Sequence, residues 1–333
     1  MTYPVTIERP RDLSAAARRL HALQSKGAPI GGGLELLELY QHADPAAPDV
    51  LIPIRQIADV STIRVSPGEV HIGAAATLAE VADSMGVKRY AWPLSEAAQS
   101  VGSPQIRAQA TIAGTLLQRP RCWYFRNGIS CYKNGGQTCP AVDGDNRYHA
   151  IFGGGPTHSV FHSDVGLALH ALQAKIDLVT PGGDKTIAIA DLYIDPQVDV
   201  TREHVLNPGE IIREIRIPKL PDRFVGTFMK IRERGSFDFA IVSVALIYNN
   251  YHGQFKNMLI FLGGVAPRPH VPQKTIDAIQ FKKLSRALIS PAADLAADGA
   301  TPLAHNAYKI PMVKEIVREA LEQTYEKLSW RPD

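Results

Sequence analysis

The stretch "APIGGGLELL", residues 28–37, predicts a short strand, a glycine turn and a helix in direct succession. Glycine lets backbone N–H groups approach a ligand closely, and a helix N-terminus favours negative charge. Gly31, Gly32 and Gly33 do not have the G-x-G-x-x-G spacing of a dinucleotide fingerprint, and no acidic residue follows at the ribose position. The pattern therefore leaves two alternatives, a phosphate site and a plain tight turn.

A second loop of small residues follows about eighty residues later, in "ATIAGT", residues 110–115. Two such loops can jointly hold a pyrophosphate, and they can equally be unrelated turns. The flanking patterns are regular. A helix over "RDLSAAARRLHALQSKG" is expected to stop at Gly27, "TIRVSPGEVHIG" predicts a hairpin, and Thr77 with Glu80 has capping-box spacing.

The bulk composition sets limits on the class of protein. A chain of 333 residues exceeds the usual size of one core, so two or three domains are expected. A net charge of +3 does not demand a polyanionic partner such as nucleic acid. The N-terminal sequence has no signal-peptide pattern, and the longest apolar run, 240–248, is too short to insert in a membrane. An odd number of cysteines favours a reducing compartment.

Several sequence blocks occur in the order expected of one protein family. They are APIGGGLELL, HIGAAATLAEV, GSPQIRAQATIAGTLLQ, HSDVGLALHALQAKIDLV, LNPGEIIREIRIP, FMKIRERGSFDFAIVSVAL and FLGGVAPRP. In these blocks the chain resembles the FAD-binding medium subunit of the molybdenum hydroxylases, the family of xanthine dehydrogenase, carbon monoxide dehydrogenase and aldehyde oxidoreductases. The resemblance covers nearly the whole chain.

The resemblance implies an α+β fold with two domains. A two-part FAD-binding domain of vanillyl-alcohol-oxidase (PCMH-like) type is expected over residues 1–222, divided into 1–55 and 56–222. A smaller α/β domain is expected over residues 223–333. The boundary coincides with the proline-rich "IPKLPD", where the texture of the sequence changes to two long apolar strands, 238–248 and 255–265, around a turn at 251–253.

The resemblance also implies a set of flavin-contacting residues. The two glycine loops line the pyrophosphate, Asp164 hydrogen-bonds the adenosine ribose, and Ile212 and Lys230 lie near the adenine or the isoalloxazine. The full set is Ala28, Pro29, Ile30, Gly31, Gly32, Gly33, Leu34, Glu35, Leu36, Thr111, Ala113, Gly114, Thr115, Asp164, Ile212 and Lys230. Leu34 replaces the usual threonine, which removes one hydroxyl contact to phosphate. Without the resemblance, Asp164 is a candidate helix cap and Lys230 a solvated strand residue.

All three cysteines, Cys122, Cys131 and Cys139, lie in "RPRCWYFRNGISCYKNGGQTCPAV", residues 119–142. The surrounding insertion, about 119–162, resembles the one that carries a [4Fe–4S] cluster on four cysteines in bacterial aldehyde oxidoreductases and 4-hydroxybenzoyl-CoA reductase. Thiolates suit iron because sulfur is soft. In place of the fourth cysteine the chain has Thr157, followed by His158.

Three alternatives stay open for this window: a cluster completed by His158, water or another group, a degenerate site without a stable cluster, and zinc on three cysteines and a histidine. Nearby cations are expected to lower the thiol pKa values and balance the cluster's charge. These cations are Arg119, Arg121, Arg126 and Lys133. His149, His162 and His170 are expected to be structural.

The resemblance predicts an FAD-carrying electron-transfer subunit of a heterotrimeric oxidoreductase. A large subunit carries the molybdenum cofactor and a small subunit carries two [2Fe–2S] clusters, from which FAD takes electrons for an external acceptor. The expected location is cytoplasmic, or periplasmic if a partner's Tat signal carries the complex. The alternatives are a stand-alone flavin oxidase of the vanillyl-alcohol-oxidase type and a non-enzymatic metal- or nucleic-acid-binding module.

Overall fold

The N-terminal part of the fold is a small parallel sheet. The computed structural model describes residues 4–41, 46–221, 223–251, 254–283 and 285–329. Strands β1 (Thr6–Ile7), β2 (Gly27–Ile30) and β3 (Val50–Pro53) pair in the order β1-β3-β2, with helices α1 (Leu13–Leu23) and α2 (Leu36–Gln41) between them. The predicted succession of strand, glycine turn and helix is confirmed.

Helix α1 begins where the Asp12 carboxylate accepts a 2.7 Å hydrogen bond from the Ala15 backbone N–H. The helix ends at Leu23, and Gln24 takes a positive φ of 53°. A 3₁₀ turn over Gln24–Lys26 continues the helical segment, and Gly27 caps that turn and begins β2, so the prediction that the segment stops at Gly27 is confirmed.

The second part is built on a five-stranded antiparallel sheet. Strands β4 (Ile63–Val65), β5 (Glu69–Gly73), β6 (Lys175–Thr180), β7 (Gly183–Ala188) and β8 (Ile211–Pro218) pair in the order β4-β5-β8-β6-β7. The predicted hairpin is confirmed, with Ile63 opposite Ile72. The apolar faces of this sheet, of α1 and of the helices described next form one continuous core.

Short helices connect β5 to the second glycine loop. They are α3 (Leu78–Asp83), α4 (Met85–Tyr90), α5 (Trp92–Ser100), α6 (Pro104–Gln109) and α7 (Ile112–Leu116). The predicted capping box is confirmed: Thr77 Oγ1 accepts from the Glu80 N–H, and the Glu80 carboxylate accepts from the Thr77 N–H. Thr111 caps α7 in the same way by accepting from the Gly114 N–H, which fixes the start of the second loop.

The insertion begins shortly after α7, contains the single helical turn α8 (Trp123–Arg126), and is followed by helix α9 (Asp164–Ala171). Its final part does not stay with the first core. Ile151 and Phe152 are buried in the core of the C-terminal part, and both backbone N–H groups donate to the Val265 carbonyl. The insertion therefore joins two cores.

The C-terminal part packs helices on a three-stranded sheet. Strands β9 (Phe224–Ile231), β10 (Val242–Tyr251) and β11 (Gln254–Gly263) form an antiparallel sheet, followed by α10 (Gln273–Ile279), α11 (Arg286–Asp294) and α12 (Lys309–Ser329). An antiparallel sheet with segregated helices is α+β, so the predicted α/β class of this part was wrong. His252 and Gly253 of the predicted turn, and Asp222 at the predicted boundary, lie outside the described residues. None of the described helices is long and apolar enough to cross a bilayer.

Candidate functional site

A cleft of about 730 Å³ opens between the two glycine loops, the start of α9 and strand β9. Its volume lies in the range of sites for drug-sized molecules and cofactors. The loop 206–210 and the loop 237–239 close its other sides. The cleft therefore gathers residues from all three structural parts of the chain.

The two glycine loops pack directly against each other. A Cβ on Gly32 would lie 1.9 Å from the Gln109 carbonyl oxygen, and a Cβ on Gly31 would lie 2.8 Å from Thr111 Oγ1. Gly33 takes a φ of +78°, which side-chain-bearing residues rarely adopt. The alternative of two unrelated turns is thus excluded, because the loops form one surface.

Most residues of the expected flavin set line this cleft. They are Ala28, Pro29, Gly31, Gly32, Gly33, Leu34, Glu35, Leu36, Thr111, Gly114, Thr115, Asp164 and Lys230. Ile30, Ala113 and Ile212 are not among the lining residues. Ile212 lies in β8 opposite Leu178 with its side chain buried, so the structure places it in the core and away from the cleft.

Asp164 and Lys230 form a buried ion pair at the wall of the cleft. Lys230 Nζ donates to Asp164 Oδ2 over 2.7 Å, and both side chains are 4% exposed. Burial raises the pKa of Asp164, and the Lys230 ammonium opposes that rise. The capping interpretation of Asp164 was wrong, because Ser163 caps α9 by accepting from the Gly166 N–H. Lys230 is likewise no solvated strand residue.

The cleft also contains residues that sequence patterns did not single out for the flavin: Arg121, His162, His204, Phe237 and Phe239. Arg121 Nε, His162 Nδ1 and His204 Nδ1 are buried without a hydrogen-bond partner in the described part of the chain. Buried polar atoms without a partner call for a ligand or water. The aromatic pair could have been noticed in "GSFDF", whereas no local pattern marks the other three.

The three cysteines and Thr157 line one small cavity. The cavity holds about 10 Å³, room for about one water molecule. Thr157 is buried, and its hydroxyl lies within 3.4 Å of Ser159 Oγ. The donor set therefore suits an iron–sulfur cluster in the softness of its thiols but is one thiol short of four, and the cavity has no volume for a cluster unless its walls move apart. No three His, Cys, Asp or Glu side chains of the described ranges are placed to hold a single metal ion.

The histidines near this cavity are arranged differently from expectation. His158 is not among the residues that line it. His149, expected to be structural, lies with Nε2 3.2 Å from Cys122 Sγ. The ring of His149 also packs against Trp123 and Tyr124, which places it between the cysteine cavity and the aromatic residues of α8.

The cations of the insertion form ion pairs with carboxylates and not with the thiols. Arg121 and Arg126 both pair with Glu35 and Glu38, and their shortest contacts, to Glu35, are 2.6 Å. Arg119 and Lys133 pair with Glu203 at 3.0 and 2.9 Å. Burial raises the pKa of the Cys122 thiol, so the expectation of a lowered pKa was wrong for this cysteine. The pairs with Glu35 attach the insertion to the wall of the cleft instead.

Sequence comparison decides the family. Residues 3–220 match the FAD binding domain in molybdopterin dehydrogenase, and residues 227–324 match the CO dehydrogenase flavoprotein C-terminal domain. The chain belongs to this family of FAD-binding subunits. It is an oxidoreductase subunit of the molybdenum hydroxylase class, whose related members form multi-subunit complexes.

Individual members of the molybdenum hydroxylase family resemble the chain over nearly its full length. The aldehyde oxidoreductase FAD-binding subunit PaoB of Escherichia coli K12 is 33% identical over 322 residues, 95% of this chain and 96% of the relative. The carbon monoxide dehydrogenase medium chain of Afipia carboxidovorans is 23% identical over 95% of this chain and 94% of its own. A solved carbon monoxide dehydrogenase from Hydrogenophaga pseudoflava superposes with a TM-score of 0.77 at 22% identity, covering 98% and 99% of the two chains.

Proposed function

We propose that the cleft between the two glycine loops is the FAD site of an electron-transfer subunit. The observation that carries this proposal is the packing of the two loops into one glycine-rich wall. The same cleft is lined by a buried ion pair and by three residues whose buried nitrogens have no hydrogen-bond partner among the described residues. FAD bound there would supply the redox chemistry, because it accepts single electrons from iron–sulfur centres and releases pairs. The chain's own residues bind it, orient it and exclude water.

Each wall of the cleft has a distinct task in this proposal. The backbone N–H groups of Gly31, Gly32 and Gly33 face the pyrophosphate, where no Cβ stands between amide and phosphate. Gly114 lines the cleft beside them, while the N–H groups of residues 113–115 donate within the chain, to the Ala74 carbonyl and to Thr111. Leu34, which has no hydroxyl, leaves that contact to the backbone. Asp164 accepts from the ribose while Lys230 holds its carboxylate in place over 2.7 Å. Phe237 and Phe239 provide an apolar wall on the side that the loop 237–239 closes.

We propose the domain division 1–55, 56–222 and 223–333, with the insertion at about 119–162, and a PCMH-like arrangement of the first two parts. Separate sheets in the first two parts support it, as does a third sheet with its own core in the last part.

The proposed electron donor is a small subunit with two [2Fe–2S] clusters, itself reduced by a large subunit with the molybdenum cofactor. All three cysteines of this chain lie in the insertion, so the chain has no cysteines left to bind a [2Fe–2S] cluster of its own. Co-expression of the chain with its genomic neighbours tests the assembly. A yellow complex of three chains that releases FAD on denaturation is expected. A single yellow chain that oxidises an alcohol or phenol with oxygen would instead identify a stand-alone flavin oxidase.

We further propose that Cys122, Cys131 and Cys139 bind an iron–sulfur cluster of the [4Fe–4S] type, with Thr157 at the place of a fourth ligand. The support is that these four residues line one cavity. A hydroxyl is a hard and essentially un-ionised ligand, so this position binds iron poorly. The cluster would order the insertion, and no electron step is assigned to it.

Anaerobic iron and sulfide analysis tests the cysteine site. Thr157→Cys is expected to increase iron content or oxygen resistance over the wild type, because a thiolate replaces the hydroxyl. His158→Ala is the matched control and should leave iron unchanged, because His158 does not line the cavity. Loss of iron in His158→Ala would make histidine the ligand. Wild-type protein without iron would show a degenerate site.

A further inference from the structure

Arg121 stands at the point where the cysteine-bearing insertion meets the cleft. It lines the cleft, its side chain is 25% exposed, and it directly precedes Cys122, which lines the cysteine cavity. Its two terminal nitrogens donate to Glu35 over 2.6 Å and to Glu38 over 3.2 Å. Its Nε is buried and has no partner within the described ranges. A guanidinium has five N–H donors, so this arrangement leaves donor capacity unused.

Elements that build the cleft hold the guanidinium in place. Glu35 follows the first glycine loop and itself lines the cleft, and Glu38 lies one turn further in α2. On the other side, the guanidinium carbon lies 5.3 Å from the ring centroid of Phe239. Arg121 is therefore oriented before a ligand arrives, which reduces the entropy lost on binding.

Donor capacity in the cleft points to the same residue. Its lining contains two permanent cations among the described residues, Arg121 and Lys230, together with several carboxylates. Lys230 gives two of its three N–H groups to Asp164 and to the Ser100 carbonyl, and its side chain is 4% exposed. Arg121 is 25% exposed, and each of its terminal nitrogens keeps a second N–H beyond the one given to a glutamate. A ligand with a phosphate or a carbonyl oxygen is the natural partner of such a donor.

We propose that Arg121 is a flavin-binding residue that the insertion contributes to the cleft. The inference rests on the proposed FAD site, and it adds a contact that the two glycine loops do not supply. FAD presents two kinds of acceptor oxygen, those of the pyrophosphate and the carbonyls of the isoalloxazine. Because Arg121 is fixed by Glu35 and Glu38, the insertion and the first glycine loop act together on the cofactor.

The test compares Arg121→Gln with Arg126→Gln. Arg126 pairs with the same two carboxylates, but it does not line the cleft, so it is a matched control for the ion-pair network. The dissociation constant of FAD is measured by fluorescence, and the flavin absorption spectrum and midpoint potential are measured on the assembled complex. Arg121→Gln is expected to weaken FAD binding by about 10-fold to 100-fold, the effect of one charge-assisted hydrogen bond, and Arg126→Gln by about 3-fold or less.

The measurements distinguish a contact to the pyrophosphate from a contact to the isoalloxazine, and failure of this inference from failure of the proposed function. A loss of affinity with an unchanged spectrum and potential assigns the contact to the pyrophosphate, and a shifted spectrum or potential assigns it to the isoalloxazine. Arg121→Lys keeps the charge but loses the planar guanidinium, so its FAD affinity should lie between those of wild type and Arg121→Gln. Equal losses in Arg121→Gln and Arg126→Gln, or wild-type affinity in Arg121→Gln, overturn the inference. A wild-type chain that binds no FAD overturns the proposed function itself.

Discussion

The absence of a side chain at Gly32 allows the two glycine loops to pack against each other. From sequence alone, a side chain at Gly32 is expected to block the approach of the backbone to a phosphate. The structure adds a second reason, because a Cβ there would lie 1.9 Å from the Gln109 carbonyl oxygen of the neighbouring loop. A substitution at Gly32 must push the two loops apart before any ligand is considered. Gly114 differs, since its nearest neighbour is the Thr111 hydroxyl at 2.9 Å.

We predict that Gly32→Ala lowers both the melting temperature and the flavin content. Gly114→Ala is expected to lower flavin content with a smaller change in melting temperature, because only one hydroxyl has to shift. Gly68→Ala is the control, since a Cβ there meets nothing within 4 Å. Thermal denaturation of the flavin-free chains and flavin release measure the two effects. A wild-type melting temperature in Gly32→Ala would show that the loops are not in contact.

Lys309 is a buried cation that pairs with no carboxylate of the described residues. Its ammonium donates to the carbonyls of Tyr148, His149 and Gly264 over 2.8–3.0 Å, which ties the insertion to the C-terminal part. Burial lowers the pKa of Lys309 to about 7 from an ordinary value of 10.5. Between these values the unfolded chain binds more protons than the folded chain, so the free energy of unfolding rises with pH.

We predict that Lys309→Met removes this rise. Urea unfolding at pH 7, 8 and 9 should show that the wild type gains stability relative to the variant, by up to about 1.4 kcal/mol per pH unit. Lys314→Met on the same helix is the control, because that side chain is 37% exposed. Parallel pH profiles for wild type and Lys309→Met would mean that Lys309 stays charged throughout.

At the scale of elements, the insertion shows which features local sequence can reveal. Its limits, its cysteines and the replacement of a fourth cysteine by Thr157 are readable because they are local or depend on the order of family blocks. Its attachment is not readable, because Arg121 and Glu35 are 86 residues apart and their contact depends on how distant elements pack. For the same reason, the partner of Asp164 could be identified only from the folded chain.

Glu203 is the second point of attachment of the insertion, and it directly precedes His204, which lines the cleft. It accepts from Arg119 and from Lys133, whose side chain is only 5% exposed. Glu203→Gln leaves the Lys133 ammonium buried without a carboxylate, and we predict a loss of about 2–3 kcal/mol in the free energy of unfolding. Asp184→Asn breaks the exposed pair with Arg213 and should cost less than about 1 kcal/mol. Equal costs in urea denaturation would contradict a buried attachment.

At the scale of the whole molecule, segments that are neighbours in the sequence are not always the segments that pack together. The five-stranded sheet pairs β5 with β8 across more than a hundred residues, and the sequence between them includes the insertion. Local patterns predicted the hairpin, α1 and the two long strands. It could not predict that the end of the insertion enters the C-terminal core, because Ile151 and Phe152 lie in a glycine-rich segment without a periodic pattern.

The shared core makes a prediction about unfolding. Ile151 has no exposed surface, and its backbone N–H donates to the Val265 carbonyl over 2.8 Å. Ile151→Ala removes buried methyl groups from the C-terminal core, so it should cost about 3 kcal/mol in urea denaturation. Ile129→Ala, at a side chain 45% exposed in the same insertion, should change stability by less than about 0.5 kcal/mol.

The position of Ile151 also predicts that FAD affinity changes when the C-terminal core is destabilised. The insertion is tied at one end to the cleft through Arg121 and Glu35 and at the other to the C-terminal core through Ile151, so loosening the far end frees the near end. FAD affinity of Ile151→Ala should therefore fall even under conditions in which the variant is fully folded, while Ile129→Ala keeps wild-type affinity. If a folded Ile151→Ala variant keeps wild-type FAD affinity, the insertion is flexible between its two attachments, and a change in the C-terminal core does not affect the cleft.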